Sequence, residues 1–486
     1  MGLLERENPA YPDQIVGSVE TSSPADVDAA VRTADAAQRG WAQVPLEDRC
    51  AALLAAAALD GAEHERLATL LAREMGKPLA DCRGEIGFAG LYVRSVVDRA
   101  PHVLRDEEVD DAAARMVLQK APYGVVAAIT PWNAPVILSM LKVAPALAAG
   151  NAVVVKPSPL APLAVTEVLQ GIAAGLPAGL LTVVHGDAEA GAALVGHPLV
   201  RKVAFTGGGA TAQAIGRTAA EMITPTVMEL GGNDPALFLD DAALTPAAMQ
   251  RAVLATFSTS GQVCMAAKRF YVHRSLHDAF VEAYVEAARE VLLTGDPLAD
   301  GVTMGPVVSR AAQERLRDLL FGSVMDGGRA IEVGRVDDEA LVDGDGYFVR
   351  PHVVTGLPDS ARLVAEEQFG PIVPIVAFDS DDEAVALANA GDLGLGASVW
   401  SADEERAFAV ARRIEAGFRF INTHNRTGLA LRAPFGGVKR SGFGREYGDE
   451  GLAEYVQTCV INAPAAFRPG AEGGATGSAA GAYPTG

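Results

Sequence analysis

Three side chains, far apart in the sequence, are of types that can do chemistry on a carbonyl group. Cys264 lies in "STSGQVCMAAKRF", among small and polar residues and just before a strand-like "FYV". Glu229 lies in "MELGGNDP", where a Gly-Gly turn can hold a carboxylate in a crevice. Asn133 lies in "ITPWNAP", where a strand gives way to a helix and a side-chain amide can face a ligand as an oxyanion donor. Each also has a plainer reading: a buried core thiol, a solvated surface charge and a helix cap. Two further turns, "VVVKPSP" at Val153–Pro159 and "FTGGG" at Phe205–Gly209, follow strands and could offer backbone N–H groups to a phosphate. Neither is the GxGxxG fingerprint.

The elements that must position these groups change character along the chain. The first hundred residues read as alanine-rich amphipathic helices, including 25–42 and 46–74, opened by the cap-like "SPAD" and "PLED". From about residue 116 short β-branched runs alternate with helical patterns at 137–149, 162–174 and 188–195. A second alternating stretch follows Glu229, with helices at 246–257 and 276–293 and strands in "RFYVH", "IVPIVAF", "GASVW" and "FRFINT". Strand, helix, strand with Gly/Pro punctuation predicts parallel sheets covered by helices. Residues 471–486 are Gly/Ala/Ser-rich, a composition expected to be disordered.

Bulk properties narrow the function. A chain of 486 residues that is 49% hydrophobic and 21% charged can form more than one core. A formal charge of −21 argues against nucleic acid and anionic membranes as partners. The N-terminus lacks the apolar core of a signal peptide, and no apolar run reaches membrane-spanning length. The four cysteines lie far apart without metal-ligand spacing, so a metal is not expected. Free thiols suit the reducing cytoplasm.

Taken jointly, the motifs "PWN", "KPS", "FTG", "ELGG", "GQVC", "EEQFGP" and "APFGGVKRSGFGRE" resemble the aldehyde dehydrogenase superfamily, in its order and approximate spacing, from about residue 15 to 462. The resemblance implies an α/β fold with a Rossmann-type cofactor domain (1–107 and 125–231) and an α/β catalytic domain (232–440). It further implies a small bridging β-sheet (108–124 and 441–463) for oligomerisation, followed by a flexible tail (464–486). Cys264 would be the nucleophile, Asn133 with the Cys264 N–H the oxyanion donors, and Glu229 the base that activates water to release the acid. Trp132, Lys156, Ser158, Thr206, Gly207, Gly208, Glu367 and Phe369 would contact NAD or NADP. The implied partners are a small aldehyde and further copies of the chain, as a homodimer or homotetramer. Two other readings are a coenzyme-A-acylating enzyme, which Glu229 disfavours, and a catalytically silent protein of the same fold, which the retained Cys264, Glu229 and Asn133 disfavour.

Departures from the family pattern bear on specificity. Pro159 stands where NAD-preferring relatives often carry Glu, and Gly208 where Ser is usual, so both cofactors stay open, with a lean to NAD. Ala134, Leu141, Val263 and Met265 suggest a roomy apolar channel. The loop "INTHNRTGLALRAPFGG" carries Arg426 and Arg432, and Arg432 is similar in place to an arginine that faces a substrate carboxylate in one branch of the family. Arg suits that task through its bidentate fork, which makes a carboxylate-bearing semialdehyde a candidate substrate.

Overall fold

The computed structural model describes residues 2–468. The Gly/Ala-rich segment 471–486 lies outside them, and of the expected tail only 464–468 is described, with a turn at Ala465–Phe467. Two α/β units face each other. One is a six-stranded sheet in the order 442–443, 226–229, 200–206, 125–129, 152–156, 181–183. Its strands are parallel except for the Gly442–Phe443 pairing with Thr226–Glu229. Strands Val125–Ile129 and Ala152–Lys156 are buried along their whole length, which is why they read as unbroken apolar runs. The other is a seven-stranded sheet built around Asp234–Phe238 and Ala267–His273. In its core Phe238 stacks on Trp400 at 4.7 Å.

Helical and strand patterns beyond residue 116 fall where the sequence places them; helices Ala188–Val195 and Pro246–Phe257 coincide with their expected bounds. Ser23 and Asp26 form the capping box legible in "SPAD". Two differences arise before it and after it. Residues Leu3–Asn8 and Tyr11–Glu20 form an antiparallel hairpin rather than helix. The buried Arg6 anchors it by donating to the Glu74 and Val308 carbonyls. The expected helix 46–74 is two helices, Leu46–Ala56 and Gly61–Met75, because Asp60 accepts the Glu63 N–H and starts a new helix.

A third sheet has strands Glu107–Asp110, Ala114–Pro122 and Val456–Pro464. The chain reaches it by way of Tyr455, whose carbonyl accepts from the buried Asn151 Nδ2. Asn151 Oδ1 in turn accepts the Gly124 N–H, so one amide joins the first sheet to the segment leading into the third. No helix among the described residues is long and apolar enough to cross a membrane.

Glu74 supplies a test of this packing. It is fully buried and accepts the Leu163 and Ala164 N–H groups at the start of helix Leu163–Ala174, at 2.5 and 3.0 Å. Burial, opposed by those two bonds, pushes its pKa up to about 7. Between the ordinary value and about 7 the folded chain holds a proton that the unfolded chain has released, so stability falls as pH rises through that window. We predict that this slope, on the order of 3 kcal/mol in full, is lost in Glu74→Gln. Denaturant midpoints at pH 5 and pH 8 measure it; an unchanged slope in the variant would contradict the assignment.

Candidate active site

Cys264 stands where two cavities meet, one on each side of it. The chain reaches it through a sharp bend. Thr259, Ser260 and Gly261 all have positive φ, at 55°, 55° and 72°, a costly conformation for the two residues that carry a Cβ. At Gly261 a Cβ would strike the Gly370 carbonyl. After the bend, the buried Gln262 accepts the Val308 N–H through its side chain. Its backbone carbonyl accepts the Asn133 Nδ2 at 3.0 Å. The amide of Asn133 is thereby held beside the cysteine loop, and both Asn133 and Cys264 line both cavities. Beyond Cys264, Lys268 donates to the Cys264 carbonyl and lies 3.4 Å from the Glu367 carboxylate.

Burial pushes the Cys264 pKa up to about 12; Lys268 opposes the shift, and Asp234, Glu367 and Glu229 add to it. The thiol therefore rests protonated in this arrangement and needs a cationic neighbour or a base to ionise.

Glu229 ends the strand Thr226–Glu229 and is buried; its carboxylate has no side-chain partner among the described residues, and the Gly437 backbone is the one donor near it. Room for it depends on Gly436, where a Cβ would come within 2.8 Å of Oε1. Burial first, and the Glu446 charge second, raise its pKa well above the usual carboxylate range, with Lys142 and Arg445 opposing. A buried carboxyl with hydrogen-bonding capacity to spare and a raised pKa has the properties of a group that can take a proton from water. Behind it the fully buried Lys142 pairs with Glu446 at 2.6 Å and donates to Thr206 Oγ1 at 2.7 Å.

The cavity on one side, about 430 Å³, contains Trp132, Thr206, Gly207, Gly208, Glu367 and Phe369, six of the eight residues expected to contact a cofactor. Trp132 meets Phe369 edge to face at 5.5 Å. Phe369 has φ 50° and Lys268 lies over its ring. Glu367 accepts the Gly232 N–H, and a Cβ on Gly231 would collide with its carboxylate. Gly208 caps helix Gly209–Glu221 without any side-chain hydrogen bond, and neither Gly208 nor Gly209 has an atom within 4 Å of where its Cβ would be. Free N–H groups beside open space at a helix N-terminus suit a pyrophosphate. Lys156 lies in a separate cavity of about 370 Å³ at the carboxyl ends of the same strands, with Pro159, Asp187 and Ile215. This is a slot of the size and apolar character that an adenine requires. Ser158 is not in its lining; its hydroxyl accepts the Leu160 N–H. The residues present thus fit a nicotinamide dinucleotide.

The cavity on the other side, about 330 Å³, is mainly apolar. Ala134, Leu141, Val263 and Met265 all line it, as the sequence suggests. Helix Pro135–Ala148 adds Ile137 and Leu138, and helix Leu79–Val103 adds Phe88 and Leu91. The two arginines separate here. Arg426 lines the cavity and pairs with Asp81 at 3.0 Å, whereas Arg432 is exposed and outside the lining.

Residues that sequence reasoning passed over complete the site. Lys77 and Glu85, each about 3% exposed, form an ion pair in the cavity wall. Lys77 also donates to the Asn133 carbonyl at 3.1 Å, and Glu85 accepts the Val136 N–H at 2.8 Å. The pair therefore holds the backbone on both sides of Ala134. Lys142 and Glu446 were likewise unassigned, although Glu446 ends the quoted "GFGRE". Nothing local marks either pair, since each partner acquires its meaning only through the other.

An α/β molecule with one cavity that fits a dinucleotide and an apolar cavity next to it has the layout of a cofactor-dependent oxidoreductase. The comparisons agree: the model of the aldehyde dehydrogenase family matches residues 2–461, and the chain belongs to that family. It is 37% identical over 454 residues to a 3-sulfolactaldehyde dehydrogenase of Pseudomonas putida, covering 93% of this chain and 91% of that one. It is 34% identical over 461 residues to an NADP(+) succinate-semialdehyde dehydrogenase of Escherichia coli, covering 93% of each. Among solved structures, betaine aldehyde dehydrogenase of Staphylococcus aureus in complex with NAD+ superposes with a TM-score of 0.89 at 31% identity, covering 96% of this chain and 92% of that one.

The Lys77–Glu85 pair generates a prediction. Lys77→Met strands a buried carboxylate and is expected to cost about 3–5 kcal/mol. The double variant Lys77→Met with Glu85→Met removes both charges and is expected to regain much of that stability while losing turnover, because the Asn133 carbonyl loses its Lys77 donor. Chemical denaturation and steady-state rates on the same preparations test both halves. A double variant as active as the parent would show that the pair does not position Asn133.

Proposed function

We propose that the protein oxidises an aldehyde to a carboxylic acid with NAD(P)+, through Cys264. The single observation that carries this is the position of Cys264 and Asn133 at the junction of the two cavities. An aldehyde entering the apolar cavity would meet the sulfur with its oxygen toward Asn133 Nδ2 and the Cys264 N–H. The thiol would give its proton to Glu229, which passes it to solvent; the sulfur then bonds the aldehyde carbon as the carbonyl π pair moves onto the oxygen, where two donors are worth several kcal/mol. A bound nicotinamide would supply the oxidising power, as acceptor of the hydride from the former aldehyde carbon. What stays on the protein is a thioester. Glu229 in its ionised form would take a proton from water as that water attacks the thioester carbon. The acid departs and the thiol is restored. Glu367, positioned by Lys268 and the Gly232 N–H, would hold the cofactor ribose, and Trp132 with Phe369 would wall the ring.

Both NAD+ and NADP+ stay within this reading, because the cavity around Lys156 contains one ammonium and one carboxylate, Asp187. As to the aldehyde, relatives named as glutarate- and succinate-semialdehyde dehydrogenases would favour a carboxylate-bearing substrate, whereas the arginines of this chain do not. In this chain that reading rests on Arg426 and Arg432, of which one is already paired and the other lies outside the cavity.

The experiment is NAD(P)H formation over a panel of aldehydes. Cys264→Ala is expected to bind cofactor but show no turnover. Glu229→Gln is expected to give a single burst of NAD(P)H with acyl-enzyme accumulating, detectable by intact mass. In the parent, acyl release should rise with pH through a value well above the ordinary carboxylate range, since the base works only when deprotonated, and Glu229→Gln should lack that limb. Strict dependence on coenzyme A would instead establish the acylating alternative. Silence across the panel would leave only a non-catalytic role.

A further inference from the structure

On the reading that the apolar cavity receives the aldehyde, we propose that its substrates are uncharged aldehydes with an apolar body, and that carboxylate-bearing aldehydes are discriminated against. The argument is an accounting of charge. A carboxylate taken out of water into a mainly apolar wall is strongly disfavoured unless a cation there is free to meet it. Lys77 is spent on Glu85, with both partners about 3% exposed. Lys142, behind Glu229, is spent on Glu446 at 2.6 Å. Arg426 is spent on Asp81 at 3.0 Å.

Asp81 is itself held in place. Its second oxygen accepts the Thr259 hydroxyl at 3.5 Å, on the bend that leads to Cys264. Thus both cations that line the cavity, Lys77 and Arg426, face an acidic partner, as does Lys142 behind it. The long-range field points the same way: a formal charge of −21 repels an approaching anion.

The Asp81–Arg426 pair is the most solvent-accessible of the three, with side chains 24% and 44% exposed. Arg426 is in the cavity lining and Asp81 is not, which puts the pair at the cavity's edge. A pair so placed has a weak net attraction. It is therefore the pair that can be altered while Lys77, Glu85, Lys142 and Glu446 keep their partners. Neutralising Asp81 would leave Arg426 a free fork at the entrance, suited to a carboxylate at the far end of a substrate.

The test uses two matched pairs of aldehydes, benzaldehyde with 4-formylbenzoate and hexanal with 6-oxohexanoate, at low ionic strength. In the parent, kcat/KM is expected to be at least about tenfold higher for the neutral member of each pair. In Asp81→Asn that ratio is expected to fall about fivefold or more through improvement of the carboxylate-bearing member. In the double variant Asp81→Asn with Arg426→Gln it should return toward the parent value. A parent that takes the carboxylate-bearing member equally well or better overturns the proposal, as does an Asp81→Asn ratio that does not move. Oxidation of none of the four aldehydes would overturn the reaction assigned to the cavity, and this inference with it.

Discussion

A single hydrogen bond, from Asn133 Nδ2 to the Gln262 carbonyl, joins the loop that leaves strand Val125–Ile129 to the loop that carries Cys264. Those loops belong to different sheets, and no covalent or β-ladder connection aligns them locally. Their relative placement must therefore be set by contacts of this kind. The neighbouring contacts reinforce it from both sides. Lys77 holds the Asn133 carbonyl, Gln262 is fixed by Val308, and Lys268 grips the Cys264 carbonyl. Reactions that add a nucleophile to a carbonyl are sensitive to ångström-scale errors in such placement. The positive φ values at Thr259 and Ser260 are strain retained in the same cause.

The second theme is how charge is carried in a dry place. Lys142 with Glu446 and Lys77 with Glu85 are buried almost completely, yet each ammonium has a carboxylate and a further acceptor. Among the described residues two buried carboxyls, Glu229 and Asp234, differ in having no side-chain hydrogen-bond partner. Of these, Glu229 is the one proposed to move a proton, and it keeps capacity to spare for that task.

How much of this was legible in the sequence follows from the range of the interactions. Cys264, Glu229 and Asn133 each sit in a short, ordered motif, and the structure brings Cys264 and Asn133 to one place. The cofactor-side residues Trp132, Thr206, Glu367 and Phe369 were legible for the same reason. Ser158 was not separable from its neighbours by motif alone, because its hydroxyl serves the local turn. Lys142 and Glu446 are ion-paired across most of the chain, and Lys77 and Glu85 flank an unremarkable helix start; neither pairing has a local pattern. The N-terminal hairpin escaped for another reason. "LLEREN" carries three charges and only its docking of Arg6 into the body of the protein makes it a strand. The arginine reading was half legible: residue type indicated a carboxylate partner, but not that Asp81 already occupied Arg426.

The path of the chain after Glu446 has a mechanical side. Glu446 bonds Lys142, Tyr447 lines the apolar cavity, and after the short helix Gly448–Ala453 the Tyr455 carbonyl is pinned by Asn151. The chain then runs straight into Val456–Pro464, a strand exposed along nearly all its length. The catalytic wall and the outermost strand are thus coupled in series, with Asn151 as the anchorage between them. A load on that strand from outside meets the Asn151 anchorage before it reaches the Glu446–Lys142 pair.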